Sequence, residues 1–593
     1  MEPLVGDGRR RRTSDPRRRR WWAALAVLIG LLLVWLAFVA VSLVQADQRL
    51  HAGIAAAGRA KAGLTLADLT AAHGSGLLAA AAADFQAAHA DVNSPLVAPF
   101  RLVPFVGTQV RSVDALSAAA SVVAGSGRSA LDAVAVMLAR PHATPAARAA
   151  LVERLAGVLD GLRARVDAVP LGPAHGLVGA LRRQRHTFAR DLAKVKTVLA
   201  RADGAARGAA ALLGGHHTFL LIAANNAEMR AGSGMALEVG TLRTAGGAVS
   251  VGPLQPADAL IDRFPGVSPT GDLAARWGFE DPAVDFREVF LSPQFPANAA
   301  LAARMWAAYT HQPVDGVLMV DVQALADLLE VIGPVSAGGT TLTAGNADHY
   351  LLEQQYAGEA NIQSEAARHE RLGLLAAAAF ARLETPGVPL SKVAGALGQA
   401  AAGRHLLVWA SNPAVEADWA AAGAAGVVGG NDLLLALLNQ GANKLDPYQH
   451  VAARLSVVAQ GDESKVTVAV SVTNNTPSGL TGYAAGGQAG YPPRVYSGAV
   501  ALDLPSVAGD VSTPGTSRVE TAGRDYAAQM VAVPVTVPDH ATRTVVIRFA
   551  VLGRHGALVV EPSARIPPTA WTASAPGTAT ARFTDATAHG FTW

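Results

Sequence analysis

The chain of 593 residues is too long for one hydrophobic core, and its length predicts about two to four domains. Hydrophobic residues make up 51% and charged residues 16%, a balance that fits a chain with one membrane span. Cysteine is absent, which excludes a disulfide framework, a thiolate zinc site and a cysteine nucleophile. The net charge of +3 arises in residues 1–20, where eight arginines face three acids, so the remaining chain carries −2. The body of the protein therefore lacks the basic balance of a nucleic-acid-binding protein, and we expect no nucleic-acid partner.

The N-terminal region predicts a membrane anchor. Trp21 to Val44 is a run of 24 uncharged residues, and a helix needs roughly 20 apolar residues to cross a bilayer. Trp21 and Trp22 stand where an interfacial aromatic belt would lie, and the arginines before them hold that side in the cytoplasm. We therefore predict a cytoplasmic tail at 1–20, a single transmembrane helix at 21–44, and an extracytoplasmic body.

A cleaved signal peptide is the alternative, with Val44, Gln45 and Ala46 as a small-residue cleavage site. The apolar run exceeds the roughly 7–15 residues of a signal-peptide core, which favours an uncleaved anchor. The arginine run beside it is better explained by topology and by anionic lipid than by nucleic acid.

Residues 45–213 are predicted to form a helical stalk or bundle. The segment is rich in alanine, and its apolar residues recur at spacings of three and four. Pro95, Pro99 and Pro104 interrupt the pattern. Thr144 is a plausible N-cap for a helix that has Pro145 at its first position.

Residues 214–445 are predicted to form a layered α/β domain, because strand-like runs alternate with helical patterns. The clearest unit is a strand over 317–320, followed by a helix over 322–332 that Asp321 can cap and that Gly333 ends. Asp315 and Asp321 are therefore interpreted as helix caps rather than as catalytic residues.

Residues 446–560 are predicted to form an antiparallel β-sandwich, because the apolar period becomes two. Three stretches put β-branched or aromatic residues on one face: Val466, Val468, Val470, Val472; Val531, Val533, Val535, Val537; Val545, Ile547, Phe549, Val551. Residues 561–593 are rich in Pro, Ala and Thr and are predicted to be a loose C-terminal tail.

The common catalytic motifs are missing from the sequence. It holds no phosphate-cradling G-x-x-x-x-G-K-[ST], no G-x-S-x-G elbow and no H-E-x-x-H. His216 and His217 are adjacent, so on a strand they point to opposite faces, and we predict no metal site there. Whether the protein is an enzyme stays open at this point.

One polar cluster stands out as a candidate ligand site. Asn225, Asn226, Glu228 and Arg230 follow the buried run "FLLIAA", where α/β domains usually place ligands. The guanidinium suits phosphate or carboxylate, and the other groups suit a cation or a sugar. Alternatively, the asparagines satisfy turn backbone and Glu228 pairs with Arg230.

Two further arginines, Arg368 and Arg371, follow Glu365 at successive spacings of three on a predicted helix. A surface salt-bridge ladder is one interpretation of this pattern, and a ligand-binding face is the other.

Four stretches together resemble the uncharacterised bacterial membrane-anchored family called domain of unknown function 4012. They are "FLLIAANNAEMRAGSGM", the segment from "SPQFPANAALAARMW" to "LLEVIGPV", "NKLDPY" and "VTVAVSVTNNTPSGLTGY". Met229 replaces a leucine of that family's pattern, and "AGSGM" replaces its Gly-Gly-Phe stretch. The family carries no established activity, so this resemblance implies placement more than chemistry.

The order of elements is also similar, more weakly, to the LytR–CpsA–Psr cell-wall polymer ligases. The matching pieces are "LLIAANNAEMR", "VDGVLMVDVQALADLLEVIGPV", "LTAGNADHYLLEQQY" and "ARHERLGLL". By this resemblance Arg230, Arg368 and Arg371 would grip a polyprenyl pyrophosphate, with Glu228 or Glu238 as the acid that holds Mg²⁺. The ligases' arginine–x–aspartate turn is absent, since "RAGSGMALE" has no Asp. Loss of such charges would remove most of what catalyses phosphoryl transfer.

Three functions follow as expectations. The first is a non-catalytic envelope protein that binds a glycan or a lipid-linked polymer and needs no cofactor. The second is a phosphotransferase or hydrolase acting on lipid-linked cell-wall polymer, with Mg²⁺, which requires the three arginines to converge. The third is a structural or assembly partner that docks through sandwich edges.

Overall fold

The computed structural model describes residues 73–139, 144–356, 362–385, 387–480, 482–487 and 490–593. The predicted cytoplasmic tail and transmembrane helix, 1–44, lie outside the described residues. The chain divides into two compact units. The first comprises the residues up to 139 together with 160–199, and the second comprises 140–159 with 200–593.

The first unit is helical, as predicted for this part of the chain. Its long helices, two of which continue into the second unit, are α1 His73–Val92, α2 Val106–Leu138, α3 Pro145–Asp167 and α4 Gly179–Gly214, with a 3₁₀ turn at Ala98–Leu102. Phe85 of α1 packs against Ala120 and Ala124 of α2. The predicted cap of α3 is confirmed, because Thr144 Oγ1 accepts a hydrogen bond of 3.2 Å from the Ala147 amide.

Among the described residues, α2 alone is long and apolar enough to cross a membrane. One such helix is compatible with a single-pass membrane protein but is weak support, since packed helices of soluble proteins have the same length and composition. The helix is not the predicted span at 21–44. Its alanine face also packs within the helical unit.

The second unit begins with a mixed sheet. Its strands are β1 His216–Arg230, β2 Ser233–Ala245, β3 Ala248–Val251, β4 Gln255–Pro256, β5 Gly316–Val320 and β8 Leu406–Ala410. The order is β3-β2-β1-β5-β8, with β4 beside β2. Only the β1–β5 pair is parallel among these described strands. A separate hairpin is formed by β6 Val335–Ala337 and β7 Thr340–Leu342.

Helices surround this sheet: α5 Gly271–Trp277, α6 Phe295–Thr310, α7 Val322–Ile332, α8 Ala347–Leu352, α9 Ile362–Leu383, α10 Leu390–Ala402 and α11 Pro413–Ala422. Alternate residues of β1 serve two cores. Leu221 packs in a cluster with Ala324 of α7 and Ala400 of α10. Leu220 packs in the cluster on the other face, which includes Met305 of α6. The sheet is therefore buried on both faces, as expected of an α/β layer.

The predicted strand–cap–helix unit is confirmed. β5 ends at Val320, and Asp321 Oδ1 accepts from the amides of Gln323 at 3.0 Å and Ala324 at 3.2 Å. Gly333 ends α7 with a φ of 77°, a conformation that glycine adopts without strain.

The remainder is a β-sandwich. Its strands are β9 Asp432–Asn439, β10 Gln449–Gln460, β11 Glu463–Asn474, β12 Tyr496–Leu504, β13 Gly509–Ser512, β14 Thr521–Asp525, β15 Ala528–Val537, β16 Thr542–Leu552, β17 Ala557–Glu561, β18 Ala570–Ser574, β19 Ala581–Thr584 and β20 His589–Thr592, with a short helix α12 Gly482–Ala485. One sheet has the order β13-β16-β11-β10-β18-β19, and the other β14-β15-β12-β9-β17-β20. The predicted alternation is confirmed: the inward valines of β11 and β15 lie in the core between the sheets.

Two predicted boundaries of the sandwich are wrong. The sandwich starts before residue 446, because β9 is a central strand of one sheet. Residues 561–593 are not a loose tail, since β18, β19 and β20 extend both sheets. Trp571 and Phe591 lie in the sandwich core, and burial of such large side chains stabilises these short strands despite their Pro, Ala and Thr content.

The α/β layer and the sandwich share a continuous core. Leu434, Ala436 and Leu438 of β9 pack in the same cluster as Leu220 of β1 and Phe295 of α6. The sheet that contains β9 is thus covered on both faces, and the junction between the two layers is a buried interface.

Candidate functional site

The predicted cluster lies inside β1 and not in a turn after it. β1 continues to Arg230, and its register against β2 shifts between Ala223 and Ala224 and again between Asn225 and Met229. Such bulges re-aim side chains that would otherwise alternate across the sheet. Asn225, Asn226, Glu228 and Arg230 are all buried, with between 0% and 6% of their surface exposed.

The two asparagines connect separate parts of the second unit. Asn225 Nδ2 donates to Tyr356 Oη at 2.6 Å. Asn226 Nδ2 donates to Asp321 Oδ2 at 2.8 Å and to the Ala564 carbonyl at 2.9 Å. The amide of Asn226 therefore joins β1 to the cap of α7 and to the sandwich.

The charged pair of the cluster is neutralised by half-buried Glu288 and by buried Lys444. Arg230 donates through Nε and Nη2 to both oxygens of Glu288, at 2.7 Å and 2.6 Å, and lies 3.6 Å from Glu228. Glu228 also pairs with Lys444. Burial raises the pKa of Glu228, but Lys444 and Arg230 outweigh burial and hold that pKa below its ordinary value.

Asp446 is the point where the end of β1 meets the sandwich. Its carboxylate accepts from the Met229 amide at 3.0 Å, from Asn439 Nδ2 at 2.9 Å and from Arg565 Nη1 at 3.1 Å. Arg230 Nη1 in turn donates to the Asn439 carbonyl at 2.9 Å. The four predicted residues and their partners thus form a satisfied polar joint between the α/β layer and the sandwich. This arrangement fits the interpretation in which the cluster has a structural role. The four side chains are hydrogen-bonded or ion-paired to other groups of the protein.

A narrow cleft, with room for about one water molecule in this structure, lies beside this joint. Met235, Ala236 and Leu237 of β2 form one wall, and the polar lining comprises Asp258, Arg287, Glu365, Arg368, His369 and Tyr483. The cleft is linked to the joint through tyrosines. The Arg368 guanidinium lies 5.3 Å from the centroid of the Tyr356 ring, and Lys444 Nζ lies 5.1 Å from that of Tyr483.

Of the three arginines that the ligase resemblance groups together, one lines this cleft. Arg368 faces it, whereas Arg230 is held in the joint by Glu288. The stem of Arg371 packs beside Gly338 in the β6–β7 turn. Arg368 pairs with Glu365 at 3.5 Å, as the salt-bridge interpretation predicts, but its side chain is buried and not on the surface, and it also lies 3.1 Å from His369 Nε2.

Asp258, Glu365 and His369 could hold a metal ion in this cleft, since their ligand atoms all lie within 4.8 Å of one another. His369 Nδ1 bonds to buried Glu238, a contact that would direct Nε2 toward the two carboxylates. Two carboxylates with one imidazole suit manganese or zinc better than magnesium. Arg368 Nη2, which donates to His369 Nε2 in this structure, would have to turn away for a metal to bind.

Several residues of the joint and the cleft were missed by the sequence prediction. Lys444 and Asp446 lie in "NKLDPY", a stretch that carries the family resemblance, so a signal existed for them. Glu288 and Arg565 carry no motif, and His369 lies in "ARHERLGLL", a stretch that was singled out for its arginines. They are recognisable only after folding, because their partners are distant in the sequence.

Comparison with known proteins supports the family resemblance. Residues 214–356 match the model of a family described as a protein of unknown function (DUF4012), which confirms the prediction over that stretch. No curated protein and no solved structure matches the chain. The similarity to LytR–CpsA–Psr ligases therefore stays a prediction.

Proposed function

We propose that the chain is a membrane-anchored, extracytoplasmic protein of the cell envelope that binds a lipid-linked glycan without transferring it. The predicted helix at 21–44 would anchor the protein, and the cleft beside the joint would receive the phosphorylated end of the glycan. The observation that carries the proposal is the pair of arginines, Arg287 and Arg368, that line one cleft together with the Tyr483 ring. Asp285 pairs with Arg287 at 2.6 Å and Glu365 with Arg368 at 3.5 Å, so a bound phosphate would have to widen the cleft and displace these acids.

The chemistry of the lining supports an anionic ligand with sugar attached. Guanidinium groups form charge-assisted, two-point hydrogen bonds with phosphate oxygens. The acids and the imidazole at the same cleft offer acceptors for hydroxyl groups, and pockets for small ligands combine apolar walls with a few such polar groups. The walls here are the apolar residues of β2.

Binding without transfer is favoured because Arg230 is already neutralised. The ligase resemblance assigns Arg230 to the pyrophosphate, yet Glu288 and Glu228 occupy its guanidinium. Phosphoryl transfer depends on positioning and on charge stabilisation of the transferred group. A site that lacks this guanidinium can hold a phosphate more readily than it can activate one.

The test is mass spectrometry of lipids and glycans that co-purify with the full chain from membranes in mild detergent. We expect polyprenyl-linked glycans with the unaltered chain, and their loss in Arg287→Gln and Arg368→Gln. Arg371→Gln is the matched control, since it lies one turn from Arg368 on α9 and outside the cleft. Equal recovery in all variants, or recovery of proteins without lipid, would contradict the proposal; the second result favours an assembly partner.

A phosphotransferase or hydrolase is the second candidate, and the possible metal ligands Asp258, Glu365 and His369 are the observation that favours it. Its test is incubation of the purified chain with lipid-linked glycan and Mn²⁺ or Mg²⁺, with product release as the readout. Turnover that is lost in Glu365→Gln would establish catalysis and displace the binding-only proposal.

A further inference from the structure

The connection between α1 and α2 exposes an unusual number of large apolar side chains. Within residues 93–106, here called the apolar loop, five are exposed over more than a third of their surface: Leu96 41%, Leu102 87%, Val103 43%, Phe105 60% and Val106 37%. Scattered exposed apolar residues are normal, but a cluster on one short segment marks an interaction site.

The apolar loop is held in shape by its own contacts. Val97 is fully buried and packs with Val92 of α1 and Val110 of α2. Arg101 Nη2 donates to Asp114 Oδ2 at 2.8 Å, which ties the middle of the loop to α2. The exposed side chains therefore project from a segment that is anchored at both sides.

Phe105 supports the same conclusion from its backbone. Its φ is 67°, a region that non-glycine residues rarely adopt. Strain of this kind persists where the surrounding structure and function require it. Here the conformation leaves an aromatic ring exposed immediately before α2.

The charge around the apolar loop selects the partner. Between residues 93 and 111 the sequence has two arginines and no acid, but Arg101 pairs with Asp114 at 2.8 Å, which leaves exposed Arg111 as the cation beside the loop. Apolar and aromatic side chains flanked by cations are the pattern of segments that lie in the interface of a bilayer with anionic lipids. A groove for a protein helix would instead present a concave apolar surface.

The length of the chain before α1 allows the loop to meet the membrane. The 20 residues of α1 span about 30 Å. Residues 45–72 number 28, and an extended chain of that length reaches up to about 92 Å. If the chain leaves the bilayer near residue 45, residues 45–72 are therefore long enough for the C-terminal end of α1, and the apolar loop that follows it, to lie against the same bilayer.

We infer that the apolar loop inserts into the outer surface of the cytoplasmic membrane, with Leu102 and Phe105 in the acyl boundary and Arg111 at the phosphate headgroups. This second attachment rests on the proposed anchor at 21–44. It would hold the helical unit against the bilayer at two points, where an anchor alone would leave it free to swing.

The test uses the absence of cysteine from the chain. Single variants Leu102→Cys and Phe105→Cys are labelled with an environment-sensitive fluorophore, and the full chain is reconstituted in vesicles of phosphatidylethanolamine and phosphatidylglycerol. Lipids that carry a bromine or nitroxide quencher at known depth then report insertion. Val136→Cys is the matched control, because Val136 is 60% exposed but lies near the opposite end of α2.

We expect quenching at 102 and 105 to be several-fold stronger than at 136, and stronger with shallow quenchers than with deep ones. Quenching at both loop positions no greater than at 136 would overturn the inference, as would a blue shift without lipid quenching, which indicates a protein partner. A label at Ala37→Cys in the predicted span separates the two proposals. Quenching at position 37 without quenching at the loop would contradict only the membrane insertion of the loop. Absence of quenching at position 37 would contradict the proposed anchor at 21–44.

Discussion

Glu288 holds Arg230 by accepting two hydrogen bonds, one to each carboxylate oxygen, of 2.7 Å from Nε and 2.6 Å from Nη2. The second acid, Glu228, lies 3.6 Å from the same guanidinium and also pairs with Lys444. Arg230 is therefore the centre of a buried charge network in the joint, and we assign it to stability.

Replacing Arg230 by alanine should destabilise the second unit by about 3 kcal/mol, the lower end for a broken buried pair, since buried Glu228 is then left with Lys444 as its counter-charge and half-buried Glu288 loses its partner. Chemical denaturation monitored by circular dichroism measures the effect. Arg371→Ala is the control and should change stability by no more than about 0.5 kcal/mol. An Arg230→Ala protein that is fully stable but no longer co-purifies with lipid would mean that Arg230 binds ligand.

Asn226→Asp should be similarly harmful, although it changes one atom. The new carboxylate loses both donated hydrogen bonds and faces Asp321 Oδ2 and the Ala564 carbonyl, a cost of at least about 3 kcal/mol. Acid pH should restore part of the loss, because a protonated carboxyl can donate again. Calorimetry on Asn412→Asp provides the comparison: this N-cap accepts from the Ala414 amide, and aspartate caps equally well. Equal melting temperatures for the two variants would contradict the stabilising role of Asn226 in the joint.

The contrast between α7 and the joint shows what the sequence could predict. The unit around Asp321 is local: its cap, its helix and its terminating glycine lie within 17 residues of one another, so periodicity and capping rules suffice. The joint depends on contacts across up to 338 residues, such as that of Asn226 with Ala564. No local pattern encodes them, and the four polar residues of β1 therefore looked like a turn.

The sequence-based prediction missed the C-terminal strands for a different reason. β18, β19 and β20 have four or five residues each and a composition typical of loops. They are strands because Trp571 and Phe591 fill the sandwich core and because β10 and β17 offer paired edges. Alternation over so few residues is too weak to outweigh composition when the sequence is considered alone.

This interpretation predicts that Trp571→Ala will cost about 3–5 kcal/mol, as for other large-to-small changes in a packed core. Arg582→Ala, on the exposed face of β19, is its control and should be neutral. Calorimetric unfolding measures both. If Trp571→Ala leaves the free energy of unfolding unchanged, residues 561–593 would be a loose tail, as the sequence predicts.

The pH dependence of stability should report a pair of buried acids. Burial raises the pKa of Asp503 well above its ordinary value, and burial raises that of Asp525 to about 6. Neither oxygen of Asp503 has a hydrogen-bond partner among the described residues, although the charge of Arg404 lowers its pKa in part. The folded state binds these protons more tightly than the unfolded state. The free-energy cost of ionising Asp503 and Asp525 in the folded protein is therefore absent below about pH 4 and grows as pH rises through 6.

Asp503→Asn should therefore gain stability relative to the unaltered chain as pH rises from about 4 to 7. Denaturation midpoints at a series of pH values measure the difference. Asp510→Asn, at a side chain that is 74% exposed and pairs with Lys465, is the surface control. A difference for Asp503→Asn that does not change with pH, or that changes no more than for Asp510→Asn, would contradict the raised pKa.

We propose that the body of the protein lies outside the cytoplasm, and labelling of single cysteines in intact cells measures on which side of the membrane each position lies. Thr580→Cys, exposed in the loop between β18 and β19, and Ser14→Cys in the arginine-rich tail are each treated with a membrane-impermeant maleimide. We predict that Thr580→Cys is labelled in intact cells and that Ser14→Cys is labelled only after lysis. Labelling of Ser14→Cys but not of Thr580→Cys in intact cells would contradict the account.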